Sequence, residues 1–449
     1  ENNNEREREK EREKQKGKDE LEETPKKKVM PSNQRMMMVF LIFLGMAIPY
    51  SDRINATTII LYMRTKYEWS PNMEGAVLAA FYYGYVLVQF PASVIAFRLG
   101  GKEVVFISMM LWGITTVIIP LATDSITLLL VLRVVLGVAD GLAFPAVHFL
   151  IEKLIPPQEF SRVVAIVTSG TFAGTVVANY CSPFLSSALG WQWNFYLCGV
   201  ASIMWCMFWH FSAVPNKSEV IRLGSQGNED EEPQGDIPWR KIFRDKNVWA
   251  IIINQFCDSW GFDVVATWLP LYFNDALKVP FEEEGILLSA PYLVQWIMSV
   301  LVGYMADHAL DIGYSAVSVR KAMQVFGMLS AGLLFPMVCV TKSPFQASLI
   351  FSVALGLNAC TLAGAYCFHL DFAGQYAATV FSIGNFAANI TGILAVQTTG
   401  VLMSYYHNSW NAVFLLSAFS YLFGAVAWWF MADGKSTLGK KVTKNLGRV

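Results

Sequence analysis

The sequence predicts an all-α membrane protein with twelve transmembrane helices arranged as two six-helix halves, and three observations carry that reading. Of its 449 residues 54% are hydrophobic and only 15% charged, against about a quarter charged in soluble domains. Of the 69 charged residues, 21 fall within positions 1–35, so the rest of the chain is poorer still. Between short polar breaks run apolar stretches of about 20 residues or more, long enough to cross a hydrocarbon core of roughly 30 Å.

These stretches lie near 36–62, 75–97, 103–122, 125–154, 161–187, 192–213, 247–274, 284–306, 320–341, 345–370, 375–405 and 410–432. Before them, 1–35 is a mixed-charge segment whose composition favours a solvated chain. A polar linker at 214–246, with an acidic run at 229–232, separates an N-terminal half (36–213) from a C-terminal half (247–432), and a basic tail occupies 433–449. Within the linker, 237–246 (IPWRKIFRDK) reads as a short amphipathic basic helix lying on the membrane surface.

Lys and Arg in the polar segments set the orientation. One side, which holds both ends of the chain and the linker, carries 28; the other carries four, Arg64, Lys66, Lys278 and Lys342. Both termini are therefore expected on the cytoplasmic or topologically equivalent side. The chain holds 34 Lys and Arg in all, and the two left over, Arg53 and Arg133, fall inside spans. The seven cysteines all lie in the spans with no CxxC spacing and read as small packing residues.

An arginine in mid-bilayer is costly and persists where it faces the bundle interior with partners. Arg53 follows Pro49 in Ser51, Asp52, Arg53, Ile54, Asn55. Seven residues after Arg133, two helical turns on the same face, comes Asp140, with Gly137 and Gly141 on that face to admit a neighbouring helix. A guanidinium keeps its proton and binds carboxylate or phosphate bidentately, so two of them in one cavity favour an anion. Burial and a nearby cation act in opposite senses on a carboxylate's ionisation, which makes Asp52 and Asp140 candidate proton sites. The competing reading is a buried Arg and Asp network that only pins helices together. Tyr82, Tyr85, Ser169, Ser382 and Asn385 are candidate polar lining residues of the same cavity.

Weak internal repetition supports the two halves. Trp191 and Phe195 before span six recur as Trp410 and Phe414 before span twelve, both at an offset of 219. The turn Arg98, Leu99, Gly100, Gly101, Lys102 after span two has a counterpart after span eight, where Gly303 and Asp307 lead to Arg320 and Lys321. This pattern resembles the major facilitator superfamily, whose halves are related by an axis along the membrane normal; Phe97 stands where that motif carries an aspartate.

The finer motifs resemble the anion/cation symporter branch, which includes vesicular glutamate transporters, sialin, sodium/phosphate cotransporters, plant organellar phosphate transporters and bacterial sugar-acid symporters. They are Asp52, Arg53 and Asn55 in span one; Arg133, Gly137, Asp140, Gly141, Pro145 and Ala146 in span four; Ser161 and Arg162 after it; and His369 and Asp371 near the end of span ten. The resemblance covers 36–432. It implies an anion held by Arg53 with Arg133 as a second cation, protonatable Asp52 and Asp140, and gating by His369, Asp371, Asp307 and Arg320. Asp140 stands where the family commonly has Glu. Relatives carry Arg or His at the place of Asp258 and usually Tyr at that of Asp263, and Leu78 replaces the histidine of vesicular glutamate transporters. The site is thus more acidic than theirs, which points away from glutamate, and Asp258 and Asp263 join the candidate coupling residues.

The expectation is alternating-access transport of a small organic or inorganic anion (carboxylate, sugar acid or phosphate) with H⁺, or alternatively Na⁺-coupled phosphate transport. A receptor or scaffold of the same fold is the non-transporting alternative. The sequence holds no P-loop, no His-Glu-x-x-His, no Gly-x-Ser-x-Gly and no metal cluster, so no enzyme is expected. The expected partners are the substrate anion, the coupling ion and the lipid bilayer, with no cofactor and no nucleic acid.

Overall fold

A Ser or Asp side chain can take the orphan amides of a helix's first turn, and five of the helices begin that way. A computed structural model describes residues 31–155, 160–212, 238–280, 284–373, 376–406, 409–435 and Leu438. The N-terminal half consists of α1 (Ser32–Tyr67), α2 (Pro71–Leu99), α3 (Gly101–Ala122), α4 (Ile126–Leu154), α5 (Phe160–Leu189) and α6 (Gln192–Phe211). The C-terminal half holds α7 (Lys246–Asp275), α8 (Glu284–Asp311), α9 (Ala316–Val338), α10 (Pro344–Asn358), α11 (Ala365–Phe372), α12 (Ala377–Tyr405) and α13 (Asn411–Met431). Ser70, Ser125, Asp245, Ser315 and Ser343 cap α2, α4, α7, α9 and α10 through the amides of Met73, Leu128, Asn247, Ser318 and Gln346. In the linker only one helical turn, Trp239–Ile242, falls among the described residues, with Trp239 exposed and Ile242 buried. Linker residues 214–237, residues 1–30 and tail residues 436–437 and 439–449 lie outside them.

The tenth span is interrupted rather than continuous. A 3-10 segment, Ala359–Ala363, and Gly364 separate α10 from α11, and the amide of Ala365 is taken by Gln324 Oε1 of α9 at 2.7 Å. That buried side chain also donates to Asn254 Oδ1 at 2.7 Å, so the α9 group that satisfies the break is itself held by α7.

Counting α10 to α11 as one interrupted span gives twelve long segments among the described residues. Eight are long and apolar enough to cross a membrane by length and composition alone. The others, α2, α5, α6 and α7, have 29, 30, 20 and 30 residues, each at least the roughly 30 Å a crossing needs. Three of these four, α2, α5 and α7, border the seam between the halves. Phe208, Phe211, Leu333, Val340, Phe345 and Phe430 are more than 60% exposed on the outside of the bundle, the surface a bilayer would cover.

Within the halves α2 packs on α4, α1 on α5, α3 on α6, α7 on α12 and α13, α8 on α10 and α9 on α13. The α2/α4 contact is built on glycine. A Cβ at Gly137 would strike the Phe81 carbonyl, and one at Gly84 the Val134 carbonyl, so the two backbones touch directly. The turns after α2 and α8 correspond: Gly100 and Gly313 both sit at φ +99°, a left-handed conformation that glycine adopts without a steric penalty. The halves meet along α2 with α12, α5 with α8, and α1 with α7.

Candidate functional site at the seam between the halves

Arg53 sits one turn beyond Pro49 on α1 and reaches the seam with 17% of its side chain exposed. Its Nη2 donates to the Tyr82 hydroxyl of α2 at 2.6 Å, and that hydroxyl donates to Asp263 Oδ1 of α7 at 2.8 Å. Arg53 Nη2 and Asp263 Oδ1 are themselves 3.9 Å apart. The guanidinium lies 5.5, 4.8 and 4.9 Å from the ring centroids of Tyr50, Phe81 and Tyr82, an aromatic enclosure that favours the cation on three sides. Arg53, Tyr82 and Asp263 thus form one hydrogen-bonded chain across the two halves.

Arg133, expected beside Arg53, lies inside the N-terminal half and is 4% exposed. Its Nε donates to the Val77 carbonyl at 3.2 Å and its Nη2 to that of Leu78 at 3.4 Å, so it ties α4 to the α2 backbone. Phe81 is the shared neighbour, its ring 5.9 Å from the Arg133 Cζ and 4.8 Å from that of Arg53.

No ion pair joins Asp52 or Asp140 to an arginine among the described residues, and each carboxylate lies in the field of the arginine on the other helix. Asp52, next to Arg53 in sequence, turns into the N-terminal half, accepts the Thr116 hydroxyl at 2.8 Å, and has Arg133 as the cation whose field acts on it. Asp140, on the Arg133 helix, has Arg53 as its cation. Adjacent side chains diverge by about 100°, which parts Asp52 from Arg53, while two turns, about 10.5 Å along the axis, part Asp140 from Arg133. Asp52 Oδ1 and Asp140 Oδ2 are buried with no hydrogen-bond partner among the described residues. Asp258 points into the C-terminal half, where Asn358 Nδ2 donates to it at 2.8 Å.

Of the lining candidates, Tyr85 is buried on α2 and Asn385 half-buried on α12, the two helices that meet across the seam. The Ser169 hydroxyl is turned back onto the Ile166 carbonyl of its own helix at 2.8 Å, and Ser382 is exposed. Among the gating candidates, Arg320 Nε donates to Asp371 at 3.2 Å and Arg320 Nη1 to the Ala363 carbonyl at 3.0 Å, joining α9 to α11. Asp307 is exposed near the end of α8, and its field reaches Cys367 together with those of Arg320 and Asp371. The His369 ring lies 5.2 Å from that of Phe381 on α12, which is in turn 6.3 Å from His148 on α4. The side chains of Phe97, Ser161 and Arg162 lie outside the described ones.

Sequence reasoning missed a second cross-seam cluster. At the far ends of α1 and α7, Arg64 Nη1 donates to Asp275 Oδ2 at 2.8 Å and its Nη2 to Asn274 Oδ1 at 3.0 Å and to Asp275 Oδ1. Glu74 lies 4.0 Å from Arg64 and is buried, and the field of fully buried Glu284 also reaches it. Arg64 reads in sequence as a loop cation, since its hydrogen-bond partners Asn274 and Asp275 lie more than 200 residues away.

Two six-helix halves with a charged, hydrogen-bonded seam define a polytopic membrane protein of the transporter class. The Major Facilitator Superfamily profile matches residues 36–396 and 261–447, and the chain belongs to that family. A probable chloroplastic anion transporter 4 of Oryza sativa subsp. japonica is 32% identical over 90% of this chain and 70% of its own length. A chloroplastic sodium-dependent phosphate transport protein 1 of Arabidopsis thaliana is 32% identical over 94% and 84%. A chloroplastic ascorbate transporter of the same plant is 31% identical over 90% and 76%. Among solved structures, a D-xylose-proton symporter superposes with TM-score 0.70 at 15% identity over 89% of this chain and 99% of its own. An inward-facing, occupied bacterial homologue of the lysosomal transporter Spinster gives 0.65 at 16% identity over 90% and 97%. These structural likenesses bear on the fold. Family and relatives place the chain among membrane transporters, not enzymes.

Proposed function

We propose that this protein is a secondary transporter of a small anion, coupled to protons, that works by alternating access. The observation that carries the reading is Arg53: a permanently charged guanidinium, partly exposed at the seam, ringed by aromatic faces and bonded across the halves. An anion binding there gains charge-assisted bonds while the two halves rock about it. Its relatives' names, which speak of anions, phosphate and ascorbate, support an anionic substrate. Asp140, buried within the field of Arg53, is the proposed proton site, neutralising the arginine when ionised and releasing it when protonated.

The linker at 214–246 tethers the halves (36–213 and 247–432), and the 28 to 4 bias in Lys and Arg puts it on the cytoplasmic or equivalent side together with 1–35 and 433–449. Sodium coupling is the second reading, favoured by the sodium-dependent phosphate transport protein among the relatives. Uptake into liposomes tests both. Accumulation of phosphate, ascorbate or another small acid driven by a pH gradient is expected; accumulation that follows a sodium gradient alone would favour sodium, and no uptake of any anion would refute the reading.

A further inference from the structure

The anion site is already filled by the protein's own carboxylate. Asp263 comes from the opposite half, is 6% exposed, and holds the Tyr82 hydroxyl that Arg53 in turn holds. An acid group that docks on Arg53 therefore has two consequences. It brings a second negative charge to a site where Asp263 lies 3.9 Å from the guanidinium. It also competes for the Tyr82 hydroxyl, the one group that donates to Asp263 among the described residues, and a buried carboxylate stripped of its donor is strongly disfavoured.

A ligand can remove both penalties only by supplying a donor of its own. We propose that Asp263 is the specificity-determining residue of this site: it admits monocarboxylates that carry a hydroxyl or ammonium group beside the acid group, and it rejects simple carboxylates and dianions. In the bound state the acid group takes the bonds of Arg53 and Tyr82, and the ligand's hydroxyl or ammonium takes over donation to Asp263. The number of bonds to Asp263 is preserved, and a dianion adds charge that this exchange cannot offset. Asp258 reinforces the selection, because its field also acts on Asp263 while its own bonds stay within the C-terminal half.

This inference rests on the anion-transport reading, and three acids of equal size separate the two. Propionate, lactate and alanine differ at one position, which bears hydrogen, hydroxyl or ammonium. Binding of each to the purified full-length chain is measured by calorimetry, with succinate and inorganic phosphate alongside. Lactate and alanine are expected to bind at least about 10-fold more tightly than propionate, the loss that follows when a buried acceptor is left unpaired, and succinate more weakly than either. Asp263→Asn should shrink that ratio towards one and improve succinate binding. Equal binding of the three acids to the wild-type chain would overturn the role of Asp263 and leave anion binding intact, and so would an unchanged ratio in a monodisperse Asp263→Asn protein. Binding of none of the five ligands would overturn the anion site itself, and the inference with it.

Discussion

Arg64 at the end of α1 holds Asp275 at the end of α7 with both of its terminal nitrogens, and it is the cation amid three carboxylates, Asp275, Glu74 and Glu284. Removing one partner of such a cluster leaves buried charge uncompensated. Arg64→Gln should therefore part the halves at this end. Spin labels at Glu68 and Lys278, both exposed, would report it as a longer mean separation by electron–electron resonance. An unchanged distance distribution would show that Arg64 does not hold this end closed.

The direct backbone contact between α2 and α4 makes Gly137 intolerant of size. Gly137→Val is expected to cost about 1–3 kcal/mol or more, the usual range for overpacking, because its Cβ would meet the Phe81 carbonyl, which cannot move aside as a side chain can. Gly303→Ala, with nothing within 4 Å of the new atom, is the control and should leave the melting temperature in detergent nearly unchanged. Equal melting temperatures for the two variants would contradict the packing argument.

Asp140 is the proposed proton carrier because its buried carboxylate lies in the field of Arg53 and one of its oxygens has no hydrogen-bond partner among the described residues. Asp140→Asn fixes the neutral form. Uptake driven by a pH gradient should be lost while exchange of substrate for substrate persists. If the variant still accumulates substrate with wild-type pH dependence, Asp140 is structural, and Asp52 is the next residue to test.

The distribution of Lys and Arg predicts that 63–74 and 275–283 share one side and 214–246 lies on the other. Single cysteines in a cysteine-depleted background, labelled with an impermeant maleimide, check this. Labelling of 214–246 from the same side as 275–283 would refute the orientation.

Hydrophobic run length made the helices legible, and the small-residue spacing of Gly137 and Gly141 foretold a close neighbour, which proves to be α2. What the sequence could not convey was rotation and partnership. Arg133 and Arg53 are alike as buried charges in a string of letters, yet one is turned to the α2 main chain and the other to the seam. The break between α10 and α11 was hidden because its compensating group, Gln324, is on another helix. Asp258 and Asp263 were visible as acids in a span, but their different roles depend on Asn358 in one case and Tyr82 in the other.

The central claim is that Arg53 holds the transported anion, and uptake by Arg53→Lys tests it most directly. Lysine keeps the charge but loses the planar, two-pronged geometry, and bonds to charged groups are worth about 1.5–3 kcal/mol each. In liposomes carrying equal amounts of protein, the initial uptake rate of the variant should fall by about 10-fold or more, with the melting temperature close to that of the wild type. A variant that folds normally and keeps most of the wild-type rate would contradict the account.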